Sequence, residues 1–136
     1  MKDNYTEHPW EGNIRALEDE NAGRINRTQV NGGTINNCLH LQTKHQSYFV
    51  KYNNASFHPG LFESERIGLH FLKSNSTFNI PQVFSTGHNE DFQWIIMTYV
   101  KSSNPAVNFW QGFGNNLAEL HKSSSDFFGL ERKSVE

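Results

Sequence analysis

The 136 residues contain a single cysteine, Cys38, which excludes an internal disulfide and any zinc site built on paired thiolates. Positive charge is scarce too: 12 Lys and Arg against 14 Asp and Glu leave a formal net charge of -2. That balance argues against a nucleic-acid partner and against a polybasic membrane anchor, both of which need an excess of cations. No apolar run approaches the ~20 residues that cross a bilayer; the longest candidate is Trp94-Ile95-Ile96-Met97. The start, Met1-Lys2-Asp3-Asn4-Tyr5, is too polar for a signal peptide, so the expected compartment is cytoplasmic. The Asn-x-Ser/Thr triplets at Asn4, Asn26, Asn54 and Asn75 then read as chance products of a chain rich in those residues. Charged residues, at 19%, and hydrophobic residues, at 35%, are both few. Aromatics nevertheless reach 13%, with Phe occurring 11 times, which argues against intrinsic disorder and for a folded piece with a modest core.

What is present has an order. Trp10, Ile14 and Leu17 fall on one face of a helix over about Trp10–Glu20, stopped by Asn21-Ala22-Gly23. A weak strand over Arg24–Val30 runs into the turn Asn31-Gly32-Gly33-Thr34. Strands are predicted at Asn37–Gln42 and Ser47–Tyr52, joined by Thr43-Lys44-His45-Gln46, so the first third reads as a helix and a three-stranded meander. Pro59-Gly60 opens a second helix over about Leu61–Lys73. A strand begins around Ile80–Phe84, turns at Gly87–Asp91, and returns as the most apolar strand, Phe92–Val100, which belongs at or near the centre of the sheet. After Lys101–Pro105, Phe109–Lys122 reads as a third helix with the stripe Phe109, Trp110, Phe113, Leu117 and Leu120. The order α-β-β-β-α-β-β-linker-α describes a five-stranded antiparallel sheet with an inserted helix, the plan of a kinase small lobe.

Two residues bring chemistry to that plan. Alternation along Tyr48-Phe49-Val50-Lys51-Tyr52 puts Phe49 and Lys51 on one face of the sheet, where a cation can hold phosphates while a ring covers a base. On the second helix Glu65 lies on the stripe of Leu61, Gly68, Leu69 and Leu72. A carboxylate on an apolar stripe needs a partner, because an unpaired buried charge costs several kcal/mol; Lys51 on the sheet beneath is the natural one. Glu63, rotated about 200° away, reads as solvent-facing. The alternatives, a solvated Lys51 and an exposed Glu65, remain open at this point. The turn at Asn31–Asn36 offers backbone N–H groups and the Thr34 hydroxyl to phosphate oxygens, although it matches neither standard phosphate-loop pattern.

Val30–Asn36, Phe49–Asn53, Leu61–Leu69, Ile80–Val83, Phe109-Trp110 through Leu117–Lys122, and Phe128-Gly129-Leu130 together resemble the fructosamine kinase (ketosamine-3-kinase) family. The resemblance runs in order from Val30 to Leu130, and the wider group includes aminoglycoside phosphotransferases and choline kinases, all of protein-kinase-like fold. It implies an α+β fold: residues 1–100 as an ATP-binding N-terminal lobe, and residues 101–136 as the linker and first helix of a second lobe. It further implies that Lys51 holds the α- and β-phosphates of ATP and pairs with Glu65. Gly33, Thr34, Ile35 and Asn36 would form the loop over the phosphates, and Phe49 would cover the adenine. Met97 would sit behind the base, with the Thr98 carbonyl and the Val100 N–H bonding it. The complete enzyme would move the γ-phosphate to a sugar hydroxyl on a glycated amine.

The same comparison exposes an absence. Phosphoryl transfer in this group needs an Asp base, usually within His-Gly-Asp, and a later Asp on Mg²⁺. None of the seven His is followed two positions later by Asp, and Asp126-Phe127-Phe128-Gly129 has one residue too many for a metal-binding D-F-G. The expectation is an ATP- and Mg²⁺-dependent kinase part that lacks the metal ligands and is inactive alone. Its alternatives are a non-catalytic interaction module or a truncated gene product. The third helix, unpartnered, predicts self-association or docking to a separate C-terminal lobe. Some relatives carry a cysteine in the phosphate loop, but Cys38 comes four residues after Thr34, at the start of the second strand, which argues against redox sensitivity. His40, His45, His58, His70 and His88 are scattered over different elements and suggest no metal site.

Overall fold

The computed structural model describes residues 7–31 and 33–130. Gly32 of the predicted turn and the opening Met1–Tyr5 lie outside them. Three helices and five strands follow the expected order: α1 Pro9–Leu17, β1 Asn26–Gln29, β2 Asn37–Gln42, β3 Ser47–Asn54, α2 Leu61–Asn75, β4 Val83–His88, β5 Phe92–Thr98 and α3 Phe109–His121. The strands form one antiparallel sheet in the order β1-β2-β3-β5-β4, so the apolar β5 lies next to the central strand, β3.

Pairing assigns the residues of β2, β3 and β5 to faces. Cys38, Lys51 and Ile95 are directly opposed across β2, β3 and β5, and His40, Phe49 and Met97 form the next such row. These share what is called here the front face, while Tyr48, Val50, Trp94 and Ile96 point to the rear. On the rear, fully buried Trp10 and Ile14 of α1 pack with Leu41, Tyr48, Val50, Trp94 and Ile96. Burial of such side chains contributes about 1.5–3 kcal/mol each. Glu11 is also fully buried, which is tolerable because Arg27 of β1 pairs with it. Behind α1, Glu18 Oε1 accepts hydrogen bonds at 2.8 Å from both Thr43 Oγ1 and the Tyr48 hydroxyl. Burial, and then that carboxylate, push the Tyr48 phenol up to about 12.

On the front, α2 lays Phe62, Leu61 and Leu69 over Ile95, Met97, Phe49 and Val83. α3 approaches this half of the molecule through Phe113, whose ring lies 5.4 Å from that of Phe78.

Several element bounds differ from expectation. α1 ends at Leu17 rather than Glu20, because Asp19 and Glu20 adopt positive φ (49° and 62°), which no helix continues. Its buried face is therefore Trp10, Glu11 and Ile14, and Leu17 is exposed. β1 is shorter than Arg24–Val30, β3 and α2 each run two residues further, and β5 stops at Thr98.

Candidate functional site

Lys51 stands near the middle of β3, opposite Cys38 and Ile95, and is reached from above by α2. Glu65, one turn after Leu61, brings its Oε1 to 2.7 Å from Lys51 Nζ. Each side chain is 26% exposed, so the pair is drawn together at the margin of the core and not lost in open solvent. An ammonium carries three N–H bonds; with one donated to Glu65, two remain for a ligand beside it.

A cleft of about 500 Å³ opens beside this pair. Gly33, Thr34, Ile35 and Asn36 of the β1–β2 loop line one side, and Cys38, Phe49 and Lys51 of the sheet line the other. The loop doubles back so tightly that a methyl group at Gly33 would sit 2.8 Å from the Asn36 carbonyl oxygen. Only glycine permits that approach. Asn36 is tied down in turn: its Oδ1 accepts a hydrogen bond at 2.7 Å from Nδ2 of Asn53, a buried residue of β3.

Cys38 lies in the cleft wall but is 92% shielded, since only 8% of it is exposed. Burial pushes its thiol up, against the pull of neighbouring Lys51, so it stays protonated.

The ten predicted site residues separate into groups. Gly33, Thr34, Ile35, Asn36, Phe49 and Lys51 share the cleft, and Glu65 joins it through Lys51. Met97 is opposite Phe49 but buried against Phe62 and Ile95. Thr98 and Val100 line a different depression, about 320 Å³, with Lys73, Phe78 and Pro81. The Thr98 N–H donates to the Gln82 carbonyl at 2.9 Å. Glu63 faces outward, where Arg66 and Thr86 satisfy it.

Two features were not anticipated. His40, opposite Phe49, stacks on Tyr99 with ring centroids 3.8 Å apart and planes 13° from parallel. Asn53 is the other, and the alternation that paired Phe49 with Lys51 already places it on the same face. Among the described residues no group of three or more His, Cys, Asp or Glu is arranged to hold a metal.

Comparison with known proteins settles the lineage. A family profile described as fructosamine kinase matches residues 10–135. The chain belongs to the fructosamine kinase family. Among relatives, it is 35% identical over 105 residues to a chloroplastic protein-ribulosamine 3-kinase of Arabidopsis thaliana, covering 75% of this chain and 32% of that protein. It is 27% identical over 125 residues to a probable ketoamine kinase of Escherichia coli, covering 90% of this chain and 43% of that one. A solved structure from Haemophilus somnus, assigned as a fructosamine-3-kinase, superposes with a TM-score of 0.69 at 24% identity, over 82% of this chain and 39% of that one. That likeness establishes the protein-kinase-like fold. The chain spans about a third to two-fifths of the length of the curated relatives it matches.

Proposed function

We propose that this chain is the ATP-holding part of a fructosamine or ketoamine kinase. The Lys51–Glu65 pair at the cleft is the observation that carries the reading, because kinases require that ion pair in place for phosphate positioning. The residues present suit a nucleotide. A cleft of about 500 Å³ lies in the usual range for small ligands, its loop makes a cradle that a Cβ at Gly33 would fill, and Lys51 has N–H bonds to spare.

Lys51 neutralises the α- and β-phosphates, and Glu65 keeps its ammonium aimed at them. The backbone N–H groups of Gly33–Asn36 and the Thr34 hydroxyl donate to phosphate oxygens. Phe49 covers the adenine from the sheet, with Met97 behind it, and the Thr98 carbonyl and Val100 N–H bond its edge. Bound ATP supplies the γ-phosphoryl group that a complete enzyme of this family moves to a sugar hydroxyl on a glycated amine. Among the described residues no group of three or more His, Cys, Asp or Glu is arranged as a Mg²⁺ donor set. The described chain positions nucleotide and leaves proton transfer to groups it does not carry.

Residues 1–100 act on this reading as the ATP lobe, and 101–136 as linker and first helix of the second lobe, in a cytoplasmic enzyme. Phe109, Trp110 and Phe113 of α3 are 42%, 72% and 41% exposed, an apolar face suited to cover by the second lobe or by another copy of the chain. Sedimentation at high micromolar concentration tests this: self-association is expected, and a monodisperse monomer that ignores an added C-terminal lobe contradicts it.

The direct test of function is binding of a fluorescent ATP analogue with Mg²⁺ to the chain and to Lys51→Ala. Saturable binding that weakens in the variant is expected. Equal binding in both, or none in either, overturns the reading and favours a non-catalytic module.

A further inference from the structure

We infer that Asn53 is a positioning residue for the phosphate loop, fixing the height of Gly33–Asn36 over Lys51 through the side chain of Asn36. The inference rests on the nucleotide reading of the cleft. Along β3 the front face carries Phe49, Lys51 and Asn53, and Asn53 lies opposite Gln93 of β5. These two amides are 5% and 4% exposed, at positions where an aliphatic side chain would bury more favourably. Buried amides of this kind are held by hydrogen bonds, and both anchor a neighbouring segment. Asn53 Nδ2 donates to Asn36 Oδ1 at 2.7 Å. Gln93 Nε2 donates to the carbonyls of Phe57 and His58, in the segment that leads into α2 and so to Glu65. One row beyond Lys51, then, two adjacent amides hold the two segments that face it.

Asn53 also retains a mismatch. Its Oδ1 is buried with no hydrogen-bond partner among the described residues. A buried orphan acceptor is unfavourable, so the amide is not there for the stability of the core alone. Its donor end accounts for its presence. Asn36 transmits the constraint, because its carbonyl oxygen leaves no room for a Cβ at Gly33. Where Asn36 is pinned, Gly33 and Thr34 between them cannot ride up from the sheet without opening the turn.

The test displaces a fluorescent ATP analogue from the wild-type chain, Asn53→Ala, Asn36→Ala and the double variant, using ATP, ADP and adenosine with Mg²⁺. Each single variant is expected to weaken ATP and ADP about fivefold, the worth of one hydrogen bond at the loop. Adenosine, which has no phosphates, should compete as with wild type, and the double variant should lose no more than either single one. A residue that only supports the core would weaken adenosine alongside ATP, or give additive losses, and either result overturns the inference. Where adenosine competes too weakly to compare, additivity alone decides. Should Asn53→Ala fail to fold, Asn36→Ala decides, and wild-type ATP affinity in it is fatal. A wild-type chain that binds no nucleotide removes the cleft reading and this inference together. Wild-type binding untouched by Asn53→Ala removes this inference alone.

Discussion

Gly87→Ala is the substitution whose cost can be worked most directly from the geometry. Gly87 of β4 lies opposite Trp94 of β5, and the indole lies flat against the space where a side chain would be. A methyl there would sit 2.8 Å from Trp94 Nε1 and 2.5 Å from Cε2, with Cζ2 nearer still. Ordinary carbon contacts lie at about 3.5–4.0 Å, so the ring would have to withdraw by roughly 1 Å. It is not free to do so. Trp94 is 6% exposed, meets Trp10 edge-on at 6.2 Å, and donates from Nε1 to Asn13 Oδ1 at 3.2 Å. Overpacking costs about 1–3 kcal/mol and the strained Asn13 bond about 1 more, roughly 2–4 kcal/mol together. In a domain of this size that lowers Tm by roughly 6–12 °C. Thermal melts followed by far-UV circular dichroism and indole fluorescence measure it. In a Trp94→Leu background the same change should cost much less, because the atoms it strikes are gone. A Tm within about 2 °C of wild type would show that the ring yields freely and would refute the reasoning.

Other consequences concern ionisation. The Arg66 guanidinium, and after it the Thr86 hydroxyl, hold the Glu63 carboxylate below its ordinary value of 4.5. A carboxylate depressed on folding stabilises fully above that ordinary value and loses its contribution as pH falls through the lowered one. Wild type should therefore exceed Glu63→Gln in urea stability at neutral pH, with the small gap closing in acid; a gap independent of pH would contradict the assignment. Because burial raises the Cys38 thiol, iodoacetamide at mildly alkaline pH should modify the folded chain more slowly than the urea-unfolded one. Equal rates would show that the cleft wall is open at that point.

Period two made the face of β3 legible in the sequence, and with it the shared side of Phe49 and Lys51, while β5 showed as a continuous apolar run. The polar intruder on an apolar helical stripe did the same for Glu65, whose 2.7 Å contact with Lys51 follows the argument that a carboxylate there needs a cation. Local chemistry hid the rest. The end of α1 is decided by Asp19 and Glu20 taking a left-handed conformation that acidic residues seldom advertise. Phe62 is 1% exposed and completes the front core, yet it is adjacent to Leu61 in sequence and falls outside a strict i, i+4 stripe. Asn53 lies just past the predicted end of β3 at Tyr52, whereas the strand continues to Asn54. Its partnership with Asn36 is a contact across 17 positions, which no local pattern encodes.

Hydrogen exchange read by mass spectrometry, with and without ATP and Mg²⁺, tests the central claim most directly because it locates any bound nucleotide on the chain. Slowed exchange over the loop at Gly33–Asn36 and over β3 around Lys51, absent in Lys51→Ala, is the predicted result. No change with ATP, or protection confined to the groove beside Ile67, Phe71 and Phe127, would contradict it.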